Sequence, residues 1–92
     1  MERVTVRVRG RVQMVGYRVF AEMAAERIGG IVGMVRNLPD GSTVEVVAEG
    51  QRPALDELLE ELRVGPAHAL VRGVDVEWNV AEGGFDRFRT IY

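Results

Sequence analysis

The sequence predicts an α+β sandwich of β-α-β-β-α-β order, an antiparallel sheet with two helices on one face and a short fifth strand at the C-terminal end. Three observations predict it. Apolar residues alternate with period two in three separate stretches, Arg3–Arg9, Thr43–Glu49 and Val74–Val80, as half-buried strands do. Two stretches between them switch to the helical period. With 92 residues the chain suits one core, single domains usually running to ~100–150 residues, so residues 1–92 are expected to form a single domain.

Each element has its own reason. Val4, Val6 and Val8 share one face of the first strand, and Arg3, Thr5, Arg7 and Arg9 share the other. Gly10 through Gly16 interrupts the alternation. From Tyr17 to Ile28 the pattern is helical, with Phe20, Met23, Ala24 and Ile28 as the expected apolar stripe and Gly29-Gly30 as the stop, since glycine takes φ > 0 without a Cβ clash. A second strand is expected over Ile31–Leu38, closed by a Pro39-Asp40-Gly41 turn in which proline pre-sets φ. The third strand points Val44, Val46 and Ala48 inward and Glu45 and Glu49 outward. Pro53 opens the second helix, where its missing N–H costs nothing. Leu55, Leu58, Leu59 and Leu62 give an i, i+3, i+4, i+7 stripe, and Gly65-Pro66 ends the helix. The fourth strand carries Val74, Val76, Trp78 and Val80 on one face; a Glu82-Gly83-Gly84 turn then leads to a last strand over Phe85–Tyr92.

Two split β-α-β units with right-handed crossovers make this the ferredoxin-like sandwich, with core strand order 4-1-3-2. The first strand then lies between the third and fourth. Its arginines face Glu45 and Glu49 on one side and Asp75 and Glu77 on the other. The row reads either as an ion-pair ladder, each cross-strand pair contributing roughly 0.2–1 kcal/mol, or as a platform for an anionic ligand.

Composition narrows the function. Hydrophobic residues make up 47% and charged residues 28% of the chain, which excludes a disordered tail. No apolar run approaches the ~18 residues of a membrane helix, and no signal peptide opens the sequence, so a cytoplasmic location and no membrane partner are expected. There is no cysteine and one histidine, His68, which leaves no thiolate, no disulfide and no metal-ligand cluster. All twelve basic residues are arginine, and fourteen acids outweigh them to a net charge of −2, against a polyanion partner. An RNA-binding sheet needs stacking aromatics on the first and third strands, and these have none.

The informative segment is Gly10-Arg11-Val12-Gln13-Met14-Val15-Gly16-Tyr17-Arg18, the join between the first strand and the first helix. A turn ending at a helix N-terminus gathers free N–H groups and the positive end of the helix dipole, a site for phosphate. Arg18 in the first turn can add a bidentate fork. The other reading is a plain connection with a solvated arginine. Because the first two strands run parallel, Asn37 at the end of the second comes to the same sheet edge. Its carboxamide can orient a water by one accepted and one donated hydrogen bond, or it simply caps the turn.

These residues resemble the acylphosphatase family. Gly10 through Arg18 is similar to that family's first signature, G-R-V-Q-G-V-G-[FY]-R, and Gly33-Met34-Val35-Arg36-Asn37 followed by Leu38-Pro39-Asp40-Gly41 is similar to its second block, G-[WF]-V-R-N-x-x-D-G. The similarity continues through Val44–Gly50, the leucine-rich helix, Val76-Glu77-Trp78 and the terminal strand. The resemblance implies an enzyme that hydrolyses the carboxyl–phosphate bond of acyl phosphates to a carboxylate and inorganic phosphate, with no metal and no cofactor. It makes Arg18 the phosphate-binding residue and Asn37 the residue that positions the attacking water, with backbone amides of Gln13, Met14, Val15, Gly16, Tyr17 and Arg18 as the cradle. The implied partner is a small-molecule acyl phosphate, and nothing demands more than a monomer.

The sequence departs from the pattern in three places. Met14 stands at a glycine of the signature; a negative φ is expected there, since Gly16 still supplies a flexible point. Met34 stands at a common aromatic, and the Ile28–Gly33 connection is one residue longer than the family's usual one. The alternative to an enzyme is a degenerate anion-binding domain disabled at Met14. A detached piece of a larger carbamoyl-transfer enzyme is a further alternative, against which complete terminal strands favour a free-standing enzyme. Of the other arginines, Arg27 and Arg63 suit helix C-termini. Arg11 and Arg36 are expected to steer anions to the site, and Arg52, Arg72, Arg87 and Arg89 to be ordinary surface charges.

Overall fold

A computed structural model describes all residues, 1–92. In chain order the elements are β1 (Glu2–Arg11), α1 (Tyr17–Ile28), β2 (Val32–Asn37), β3 (Thr43–Gly50), α2 (Arg52–Val64), β4 (Leu70–Val80) and β5 (Phe88–Thr90). One five-stranded sheet has the order β4-β1-β3-β2-β5, the expected core order with the last strand added beside β2. All pairs are antiparallel except β2 with β5, which is parallel. No helix is long and apolar enough to cross a membrane.

The period-two alternation fixes which face is covered. Val4, Val6 and Val8 of β1, Val44, Val46 and Ala48 of β3 and Val35 of β2 are buried against the two helices. The α2 stripe is as expected, with Leu55, Leu58, Leu59 and Leu62 all buried. Fully burying a leucine is worth about 1.5–3 kcal/mol, so this stripe is what fastens α2 to the sheet.

The buried face of α1 differs from the expected stripe. Tyr17, Ala21, Ala24 and Ala25 are buried, whereas Met23 is 64% exposed and Phe20 lies at the margin of the core. Alanines on the inner face let α1 sit close to its neighbours, and the larger apolar side chains point outward. The Tyr17 ring fills the remaining space, and its hydroxyl donates to the Leu62 carbonyl at the end of α2. Burial pushes the Tyr17 phenol well above its ordinary pKa.

The ladder reading of the arginine row holds. Arg3 pairs with Glu49 at 2.7 Å, Arg7 with Glu45 at 3.0 Å and Arg9 with Asp75 at 3.1 Å. Glu45 and Glu49 do lie on the face away from the helices, yet they are only 5% and 3% exposed. Guanidinium groups and the β4–β5 connection cover them. Glu49 also accepts the backbone N–H groups of Glu82 and Gly83. Burial raises its pKa, but the hydrogen bonds from Glu82, Arg3 and Gly83 outweigh burial and hold the carboxyl below its ordinary value. The same connection explains why the last strand is shorter than the expected Phe85–Tyr92. Phe85 lies over the Arg3 guanidinium, 5.4 Å from ring centre, and pairing with β2 begins only at Phe88.

Two other arginines depart from expectation. Arg52 stacks on Trp78 at 3.7 Å and bridges Asp56 and Glu2, so it ties the start of α2 to β1 and β4 instead of serving as a free surface charge. Arg36 bonds Glu45 at 2.9 Å, so its charge is already matched by a carboxylate that also holds Arg7. That pairing removes Arg36 from anion steering.

Candidate active site

The loop between β1 and α1 begins with a break in the ladder. Register between β1 and β4 shifts at Arg9/Gly10. Gly10 has φ 138°, and a Cβ there would lie 2.1 Å from the Leu70 carbonyl oxygen, so no other residue fits the bulge. The chain then curls through two left-handed positions, Met14 at φ 62° and Gly16 at φ 80°. The negative φ expected for Met14 is therefore wrong. Its side chain is wholly exposed, so no neighbour resists it, and the left-handed conformation costs about 1–2 kcal/mol against glycine.

The curl has a chemical result. None of the backbone N–H groups of Gln13 through Val19 donates to a backbone carbonyl, and α1 has no side-chain cap at Gly16. The serine, threonine or aspartate that would ordinarily accept these donors is absent. Successive N–H groups in such turns form concavities for anions, assisted by the helix dipole.

Gln13 has a role that the sequence pattern left unread. Its Nε2 donates to the carbonyls of Leu38 at 2.8 Å and Thr43 at 2.9 Å. Both amide protons thus clip the loop to the two arms of the β2–β3 hairpin. The hairpin is itself fastened by Asp40, which accepts Ser42 N–H and Thr43 N–H at 2.9 Å and the Thr43 hydroxyl at 2.6 Å. Those bonds, the Thr43 hydroxyl foremost, hold the Asp40 carboxyl below its ordinary pKa. A side-chain amide within a turn and two residues of the opposite hairpin was the only signal for this clip, and it is too common to single out.

Asn37, at the end of β2, arrives where topology required. Val12, Met14, Gly16, Tyr17, Arg18, Val19 and Asn37 line one cavity of about 80 Å³. Drug-sized sites run to about 300–1,000 Å³, so this one suits a small group. Asn37 Oδ1 is buried and no protein donor reaches it; a buried acceptor left unpaired costs about 1–3 kcal/mol. Arg18 is half-buried, enters no ion pair, and stacks its guanidinium 4.9 Å from the Tyr92 ring. Of the expected cradle residues, Val15 packs against the core and Tyr17 turns its ring inward, so neither side chain faces the cavity as a donor.

Larger hollows exist elsewhere. One of about 770 Å³ between α1 and β5 is lined by the carboxylates of Glu22, Glu26 and Asp86 together with Arg87 and Arg89. It contains none of Gln13 to Arg18, nor Asn37.

The family model described as Acylphosphatase matches residues 4–90. The chain is 48% identical to an acylphosphatase of Thermus thermophilus over 90% of its own length and 92% of the relative's. Its structure superposes on that of an acylphosphatase from Bacillus subtilis with a TM-score of 0.94 at 35% identity, covering 100% of both chains. For one from Coxiella burnetii the TM-score is 0.88 at 36% identity, covering 98% of this chain and 93% of that one. On a match that spans both the β1–α1 loop and the β2–β3 hairpin, the chain belongs to the acylphosphatase family of enzymes.

Proposed function

We propose that residues 1–92 act as one catalytic unit that hydrolyses small acyl phosphates without a metal, with Arg18 holding the phosphate and Asn37 positioning the water. The observation that carries this reading is the small cavity in which a buried, unpaired Asn37 Oδ1 meets Arg18 and a run of free backbone N–H groups. Free donors and a guanidinium fit phosphate oxygens, and a lone carboxamide acceptor fits a water O–H.

The chemistry is balanced by positioning. The water oxygen attacks phosphorus opposite the carboxylate; the P–O bond to the acyl group breaks, and the carboxylate leaves with that electron pair. One water proton passes to a phosphate oxygen, giving dihydrogen phosphate. A carboxylate is a weak base, so it leaves without a general acid. Transfer of the proton to phosphate removes the need for a protein base, and none lines the cavity. What remains for the protein is orientation and stabilisation of charge on the equatorial oxygens.

Gln13 supports this as a positioning residue, since its two bonds fix the distance between the N–H cradle and Asn37. The test is phosphate release from benzoyl phosphate in the presence of a chelator, by wild type, Arg18→Ala and Asn37→Ala. Wild-type turnover that collapses in both variants supports the assignment. Turnover that survives both overturns it. A folded wild type with no turnover would make the chain an anion-binding domain instead.

A further inference from the structure

Six of the twelve arginines are held in ion pairs: Arg3, Arg7, Arg9, Arg27, Arg36 and Arg52. Of those left without a carboxylate, three line a single cleft. Arg18, Arg87 and Arg89 border an open hollow of about 520 Å³, whose apolar wall is Val19, Ile91 and Tyr92. The cleft adjoins the phosphate cavity directly, because Arg18 and Val19 line both.

The two outer arginines stand on ordered backbone. Arg89 lies on β5 opposite Met34, and the Arg87 carbonyl accepts the Gly33 N–H at 3.0 Å. The one side-chain carboxylate lining the cleft, Glu22, is engaged through Oε2 by the N–H and hydroxyl of Thr90. It anchors β5 and leaves both guanidinium groups without an ion pair. A phosphate at Arg18 therefore directs its acyl group into a cleft with an apolar wall and two guanidinium groups that enter no ion pair, each of which also borders the hollow of Glu22, Glu26 and Asp86.

We propose that the preferred substrates are acyl phosphates whose acyl group carries a second negative charge beyond an apolar body, recognised by Arg87 and Arg89. The inference rests on the placement of phosphate at Arg18 given above and goes beyond it by specifying the acyl half. General steering of anions is a different effect, since it speeds every acyl phosphate alike.

The experiment compares 4-carboxybenzoyl phosphate with 4-methylbenzoyl phosphate, which differ at the far end of the same ring. In wild type at low salt, kcat/KM is expected to favour the carboxylate by about 10-fold, the scale of exposed charge-assisted contacts. The preference arises mainly in KM and shrinks as salt rises. In Arg87→Gln/Arg89→Gln the ratio falls toward one, whereas Arg72→Gln, an exposed arginine outside the cleft, leaves the ratio intact. A wild-type ratio at or below one, or a ratio that survives the double substitution, overturns the proposal. If wild type fails to hydrolyse even the 4-methyl compound, the site assignment falls and takes this inference with it; hydrolysis of both without preference sinks the inference alone.

Discussion

The arginines of the open sheet face and those at the cleft share a residue type and little else. Arg3, Arg7 and Arg36 are each matched to a buried glutamate on the neighbouring strand. Arg18, Arg87 and Arg89 converge on a hollow with no carboxylate bonded to them. The difference follows from register. On β1 and β2 the arginines alternate outward and fall opposite Glu49 and Glu45, with Arg3↔Glu49, Arg7↔Glu45 and Arg36↔Glu45 as direct partners. At the loop and the last strand no such acidic partner is in register. A guanidinium is spent on architecture where the ladder supplies a carboxylate, and stays unpaired where it does not.

Breaking the free set has the largest expected effect. Arg18→Ala and Asn37→Ala should each lower kcat/KM for benzoyl phosphate by about 10²–10³-fold, the scale of losing one preorganised stabilising group. The urea midpoint should hardly move, because neither side chain makes a bond that holds the fold. Loss of folding in step with turnover would erase the contrast.

The matched set should behave in the opposite way. Glu45→Gln leaves Arg7 and Arg36 short of a carboxylate in a covered position. It should destabilise by about 1–3 kcal/mol in urea unfolding, while Arg9→Gln, which breaks an exposed pair, should cost at most about 1 kcal/mol. Equal costs for the two would show that cover over the glutamates has no energetic weight.

Acid sharpens the same point. Glu49 has a folded pKa below its unfolded value of about 4.3, so its contribution is complete above that value and is lost as pH falls through the lower folded pKa. Stability should decline below about pH 4, and less steeply in Glu49→Gln. Parallel profiles for the two would remove Glu49 from the account. The smallest effect is expected in the loop itself. Met14→Gly relieves a left-handed residue but adds freedom to the unfolded chain, for a net gain of at most about 1 kcal/mol, measurable as a raised urea midpoint.

Much of this fold was legible because its signals are local. The valines of β1, the leucine stripe of α2 and the Pro39-Asp40-Gly41 turn each declare their element within a few residues, and strand order follows from two split units. The inner face of α1 was not legible in the same way. Alanine carries little hydrophobic signal, so the larger Phe20 and Met23 were read as core although the helix packs through Ala21, Ala24 and Ala25. The conformation of Met14 was hidden too, since a side chain that touches nothing reports nothing of its φ. Arg36 was readable in principle, because the hairpin turn sets it opposite Glu45. Arg52 was not: Trp78 and Glu2 reach it from distant strands. The candidate site was legible in outline as two motifs that meet at one sheet edge, whereas the Gln13 clip and the cationic cleft depend on segments that meet only in three dimensions.

The central place of β1 has a consequence for how the chain comes to be folded at all. It is made before the other elements of the sheet, yet both its neighbours lie far downstream, β3 from Thr43 and β4 from Leu70. Such long closures slow folding, and until they occur β1 is a strand with two bare edges, the kind that recruits other chains. Its alternating arginines repel a second copy during that wait. The row that later matches the glutamates thus first serves as a gatekeeper, keeping the nascent strand apart from its like until its own partners arrive.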